Sequence, residues 1–229
     1  MNNEINKKRL PLLDIYRGVA IIFMIIFHSI FDLTILNLIS NKALSENYWF
    51  YFPRLIVIMF LICVGAGINI THKKKFKSKK FFMRLALIAF WAATVSIATF
   101  FIFHNQWIKF GMLHVIAISS LLAIPFINKP IISLLSAIII LILFFIIIPN
   151  QLTFPPSEWA PHSLDYIPIY PWFSAVLIGI FLEHIGFFRI RIAPNSLKFV
   201  QLLGQHSLII YIIHQPLIYG TLYILSIIK

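Results

Sequence analysis

LDIYRGVAIIFMIIFHSIFDL, residues 13–33, decides how the rest of this 229-residue chain is read. The stretch is long enough to cross a bilayer as a helix, yet it holds Asp14, Arg17, His28 and Asp32. An ionisable group at membrane depth costs roughly 2.5–3.5 kcal/mol on insertion scales, so each needs a partner or a task. Their spacing gives them a common direction. At about 100° per residue, with Asp14 at zero, Arg17 falls near 300°, His28 near 320° and Asp32 back at about 0°. The four share a stripe about 60° wide on a helix that is otherwise apolar. A rise of ~1.5 Å per residue sets His28 about 16 Å deeper than Arg17, near mid-membrane. One face of this helix suits lipid or packing, and the other suits a polar cavity.

Composition extends that reading to the whole chain. It is 60% hydrophobic and 11% charged, with a mean hydropathy of +0.92, where a soluble domain carries roughly 25% charged residues. An all-α, polytopic transmembrane helix bundle forming a single domain over residues 1–229 is predicted. The first apolar run is too long for a cleavable leader, and no small-residue cleavage site follows it. Cys63 is the only cysteine, which excludes an intramolecular disulfide. The formal charge of +12 is read as the bias of basic residues toward the cytoplasmic side of a membrane, not as a nucleic-acid surface.

About seven spans fit the loops. After a polar tail ending in Lys7, Lys8 and Arg9, Pro11 opens the first span, and residues 37–48 form a polar loop. The second span, about 51–70, contains Gly65, Ala66 and Gly67, small residues that allow close helix contact. A basic run, 72–80, precedes the third span at 81–103. The fourth lies at 110–127 and carries His114; the fifth, 131–148, has no ionisable residue. Residues 149–168 lack Lys and Arg and hold Glu158 and Asp165. The sixth span is about 169–184. The seventh starts near residue 201, with a kink expected at Pro216. With the N-terminus in the cytoplasm, fifteen of the 19 lysines and arginines fall on the inner side, the arrangement the charge bias demands. No internal repeat is visible, which weakens a transporter reading.

Two pairs stand on the polar stripe. Asp14 and Arg17, three apart, are placed to pair, either as an interfacial salt bridge or as a cation held for a phosphate-bearing substrate. His28 and Asp32, four apart, allow a carboxylate to orient an imidazole, as general-base catalysis needs; the alternative is a histidine bonded to a neighbouring helix. In the seventh span His206, Ser207, His214 and Gln215 are too many polar groups for lipid, so this helix is expected to line the same cavity. Ser207 and His214, seven apart, share a face. His114 alone on an apolar helix reads as structural more readily than catalytic. Asp165 and Trp172 flank the outer end of the sixth span and would form the cavity's outer lip. The 73–80 basic run reads first as a topogenic, lipid-binding loop, with the phosphates of a nucleotide-like donor as the other occupant.

The stretch RGVAIIFMIIFH, an arginine and a histidine eleven positions later, resembles the R-x10-H signature of integral-membrane acyltransferases. Together with FGMLHVIAISSLLAIPF, YIPIYPWFSAVLIGIFL and LGQHSLIIYIIHQPLIYG, in that order along almost the whole chain, it resembles the heparan-alpha-glucosaminide N-acetyltransferase catalytic-domain family and its small prokaryotic members. The resemblance implies transfer of an acyl group from acyl-CoA to a sugar or similar acceptor across the membrane, with the family's arginine on Arg17 and its histidine on His28.

The chemistry expected from that resemblance runs along the stripe. Acyl-CoA, acetyl-CoA in the simplest case, would enter from the cytoplasm as a co-substrate, its phosphates met by Arg17 and the basic inner loops. At His28, supported by Asp32, the histidine would either deprotonate the acceptor or become transiently acylated. His114, Ser207, His214 and Gln215 would contact substrate on the acceptor side. No bound cofactor and no metal are expected. The partners would be the lipid bilayer, in the cytoplasmic membrane of a prokaryote, and a sugar-like or glycan acceptor. A homodimer would complete the cavity of so small a bundle. Two other functions fit the same stripe: a small proton-coupled transporter, and a haem protein using His28, His114, His206 and His214 as axial ligands.

Overall fold

The computed structural model describes residues 10–40, 47–147, 156–160, 162–190 and 195–228. The N-terminal basic tail with Lys7, Lys8 and Arg9, and with them Lys42, Arg191 and Lys229, lie outside the described residues, as does the whole proline-rich 149–155 segment. Among the described residues the secondary structure is helical. The α-helices are α1 (Pro11–Ile35), α2 (Asn47–His72), α3 (Ser78–Phe103), α4 (Met112–Leu122), α5 (Pro130–Ile142), α6 (Phe173–His184), α7 (Lys198–Gln205) and α8 (Ser207–Ile228).

Local chemistry explains several boundaries. Pro11 occupies the first turn of α1, where its missing N–H leaves no hydrogen bond unmade and its fixed φ favours the helix. Pro130 opens α5 in the same way. The sixth apolar segment becomes helical only at Phe173, because Pro168 and Pro171 hold the chain before it out of the helical ladder.

Four helices, Pro11–Ile35, Trp49–His72, Ser78–Gln106 and Ser207–Ile228, are long and apolar enough to cross a membrane, and Met112–Leu122, Pro130–Ile146 and Phe173–His184 are shorter apolar helices. Their outer faces are greasy: Phe90, Ile97 and Phe101 on α3 and Ile131 and Ile139 on α5 stand exposed, Phe101 at 72%. A surface of this kind needs hydrocarbon, not water, as its solvent. The chain is an integral membrane protein.

The last apolar stretch departs from expectation. Its break comes at His206, between α7 and α8, while Pro216 lies inside α8 without ending it. The reason lies in α7, whose Gly204 is pressed against α1: a Cβ there would run into the Asp14 carbonyl, and one at Gly18 into the Val200 carbonyl. Two glycines facing each other's backbone bring the helices close. The side chain of Arg17 also claims the Gly204 carbonyl, at 3.3 Å.

The chain divides into two compact units, one built from residues up to Phe60 together with those from Phe188 onward, the other from Leu61–Phe187. In the first, α1 packs on α7 and α8 around Ala20, Ile21, Met24 and Phe188. In the second, α5 packs on α6 and α3 on α4. The second unit has its own close crossing, where a Cβ at Gly65 would meet the Val176 carbonyl and one at Gly179 the Ile62 carbonyl. Gly65 thus makes the contact its small size foretold, whereas a Cβ at Gly67 would find only Arg84, at 3.6 Å.

A buried polar network, unforeseen in the sequence, holds the second unit's helix ends. Glu183, 1% exposed on α6, accepts a hydrogen bond from the Asn69 side-chain amide of α2 and pairs with Lys73 at 3.5 Å. The Asn69 side-chain oxygen accepts the Asn128 N–H at 3.0 Å, and the Asn128 amide donates to the Lys73 carbonyl at 2.8 Å. The base of the basic loop is therefore anchored, while Lys74, Lys75, Lys77, Lys79 and Lys80 are exposed. His72 closes the same loop by accepting the Lys77 N–H on Nδ1 at 3.0 Å.

Candidate active site

The stripe on α1 meets the last two helices of its own unit in two layers. In the first, Arg17 lies 3.5 Å from the Asp14 carboxylate, as their spacing anticipated. Its guanidinium also donates to the Gly204 carbonyl, and the Gln205 amide donates to the other Asp14 oxygen at 3.4 Å. Asp14 is buried and Arg17 half-buried. Such a cation retains donors for a further anion, because guanidinium carries five N–H groups in a planar fork.

The second layer joins His28 and Asp32 of α1 to His214 and Gln215 of α8. The two imidazoles meet edge to face, ring centres 4.9 Å apart. The Gln215 amide donates to both Asp32 carboxylate oxygens at 3.1 Å. Here an expectation is corrected: Asp32, only 1% exposed, is held by Gln215 and not by His28. The Gln215 amide reaches Asp32 from across the helix interface and bridges both carboxylate oxygens with its NH2 group. The walls are aromatic, with Phe27 against His28 at 5.3 Å, Tyr211 against His214 at 5.6 Å and Phe60 against Tyr211 at 6.3 Å.

Polar atoms are left over in this layer. His28 Nδ1, His214 Nε2 and Gln215 Oε1 are buried with no hydrogen-bond partner. Buried polar groups without partners are uncommon and call for an explanation, of which a ligand is one. Imidazoles in edge contact leave no slot for a macrocycle between them, which argues against the axial-ligand arrangement. Ser207, at the first position of α8, is half-buried and two turns from His214, so it stands apart from the histidine pair.

His114, Asp165 and Trp172 belong to the second unit. His114 is used by the fold: its Nδ1 accepts the Gly111 N–H at 3.2 Å, its Nε2 lies 3.4 Å from the Ser96 hydroxyl, and that hydroxyl donates to the Ile108 carbonyl at 2.7 Å. With both nitrogens engaged, the residue closes the start of α4 and has no free position for a substrate. Asp165 accepts the Met112 N–H at 3.1 Å, placing a carboxylate at the N-terminus of α4. Trp172 is half-buried at the residue preceding α6.

Burial pushes the Asp165 carboxyl up from 3.8 to about 6, against the opposing pull of the Met112 N–H. The folded state thus holds this proton more tightly than the unfolded chain. The stability it contributes is complete below about pH 4 and is lost as pH rises through about 6. Asp165→Asn should flatten the melting temperature of the purified protein across that window, and a slope identical to wild type would refute the assignment.

Two histidine-bearing helices walled by aromatics, with a cation lower on the same stripe, define a membrane protein with a buried polar site suited to moving protons or groups. The model of the family heparan-alpha-glucosaminide N-acetyltransferase, catalytic, matches residues 9–216. The chain belongs to this family of membrane acetyltransferases. No curated protein and no solved structure matches it.

Glu183, Asn69, Gln205 and Tyr211 were missed in the sequence. For the first two a signal existed, a carboxylate and an amide inside otherwise apolar spans. For Gln205 there was none, since its contact with Asp14 depends on how helices cross; the Tyr211 carbonyl lies three residues before His214 on the same helix, and only the rotamer of the ring brings the two together.

Proposed function

We propose that this protein is an acyltransferase that takes an acetyl group from cytoplasmic acetyl-CoA and passes it to a sugar-like acceptor at or across the membrane. The observation that carries the reading is the meeting of the His28–His214 pair, with its unpartnered nitrogens, on the same α1 stripe that holds Arg17. Family membership supports acetyl transfer as the reaction. In this reading the chain acts as one catalytic domain of seven spans in the cytoplasmic membrane of a prokaryote, with the N-terminus inside. The four long and three shorter apolar helices support that count.

Arg17 receives a phosphate of CoA, a task for a cation that retains free donors. The pantetheine arm runs along the stripe, and the thioester comes to rest beside His28. Asp32 holds Gln215 in position next to the histidines, and the aromatic walls keep water from the thioester.

The test is equilibrium binding of acetyl-CoA to the purified protein. Wild type should bind saturably. Arg17→Ala should weaken binding by about tenfold, the scale of one charge-assisted contact of about 1.5 kcal/mol. A folded wild type that binds no acetyl-CoA overturns the reading.

A further inference from the structure

The geometry assigns the proton-accepting role to Nε2 of His214, which makes it the subsite for a neutral hydroxyl or amine nucleophile. The assignment rests on the acyl-transfer reading and adds to it the group that activates the acceptor. It starts from one hydrogen bond. His214 Nδ1 lies 2.6 Å from the Tyr211 carbonyl oxygen, and a carbonyl oxygen only accepts. Nδ1 must therefore carry the proton, and in the neutral ring Nε2 is left as a bare lone pair. That atom is buried and has no partner, on a residue only 7% exposed.

Gln215 is oriented by the same logic. Its amide nitrogen is committed to both oxygens of Asp32, so its oxygen points elsewhere, and it too is buried without a partner. Adjacent residues on α8 therefore offer two acceptors and no donor. Each repels an anion or a second acceptor and takes a group bearing O–H or N–H hydrogens. His28 differs: its Nδ1 is also unpartnered, but no neighbouring carbonyl determines which nitrogen carries the hydrogen. Of the two imidazoles, only His214 is held in the tautomer a general base requires.

The step balances without a further reagent. The proton of the acceptor O–H or N–H passes to His214 Nε2 as its oxygen or nitrogen forms a bond to the acetyl carbonyl carbon. The carbon–sulfur bond breaks with its electron pair on the CoA sulfur. The imidazolium then returns the proton to that thiolate, releasing CoA–SH and the acetylated acceptor.

The test compares wild type with His214→Asn in the full-length purified protein, using labelled acetyl-CoA as donor and D-glucosamine, methyl glucoside and water as acceptors. Asparagine can still donate to the Tyr211 carbonyl but has no atom in place of Nε2. The expected result is a fall in kcat of at least about 100-fold, with acetyl-CoA affinity within about twofold of wild type. Transfer retained by His214→Asn, or lost only in step with acetyl-CoA binding, overturns the assignment. Wild type that binds acetyl-CoA but passes acetyl to none of the three acceptors overturns the hydroxyl-or-amine subsite. Failure of wild type to bind acetyl-CoA at all overturns the acyl-transfer reading instead. Nitrogen NMR of histidine-labelled wild type covers the case of an unfolded variant. A His214 ring protonated on Nδ1 and bare on Nε2 upholds the assignment, and the opposite tautomer refutes it.

Discussion

His28→Ala should lower kcat for acetyl transfer by roughly 100-fold, the cost of a misplaced catalytic group, while acetyl-CoA still binds to within about twofold of wild type. The split follows from the layering. Arg17, about 16 Å down the helix from His28, is tied to Asp14 and to the Gly204 carbonyl, and none of those contacts involves the imidazole. Removing His28 takes away the ring packed against His214 and leaves the donor's phosphate contacts in place. Transfer assays with labelled acetyl-CoA, run beside binding isotherms, separate the two effects. A variant that loses binding together with turnover would place His28 in donor recognition, and one that keeps turnover would remove it from the chemistry.

Glu183→Ala should destabilise the second unit by about 2–3 kcal/mol. The carboxylate is the acceptor for the Asn69 amide and the partner of Lys73. Deleting it leaves the fully buried Asn69 amide without its acceptor, which costs more than the bond itself was worth, while the half-buried Lys73 ammonium can turn to solvent. Glu183→Gln keeps an oxygen for Asn69 and should lose less, about 1–2 kcal/mol. Thermal denaturation in detergent ranks the three proteins. Equal melting temperatures for wild type and Glu183→Ala would show that the network is not holding the helix ends. Neither variant touches the histidine layer, so a protein that remains folded should keep its transfer chemistry.

Much of this was visible in residues 13–33. The Asp14–Arg17 pair forms as its spacing anticipated, and the polar last helix does come to the same stripe, through His214 and Gln215. Helical periodicity is a local property, so which side chains share a face of α1 follows from their positions in the chain alone. The small residue at Gly65 likewise announced a close crossing, because only hydrogen fits where two backbones touch. The helical character and the membrane solvent follow from the length and apolarity of the runs, which no tertiary contact has to supply.

Partner choice was decided elsewhere. Asp32 could have met His28 one turn away, and it meets Gln215 across a helix interface instead. The break at His206 follows Gly204, which seats directly on α1. The His214 tautomer is the local exception, set within α8 by the carbonyl three residues back. Glu183 acquires a role only because Asn69, 114 positions earlier, is brought to it. Sequence by itself determined which faces are polar and which segments are apolar enough for a membrane, since both are sums over neighbours in the chain. Tertiary structure alone decided which polar groups meet across helices, because that turns on helix crossings that no single helix encodes.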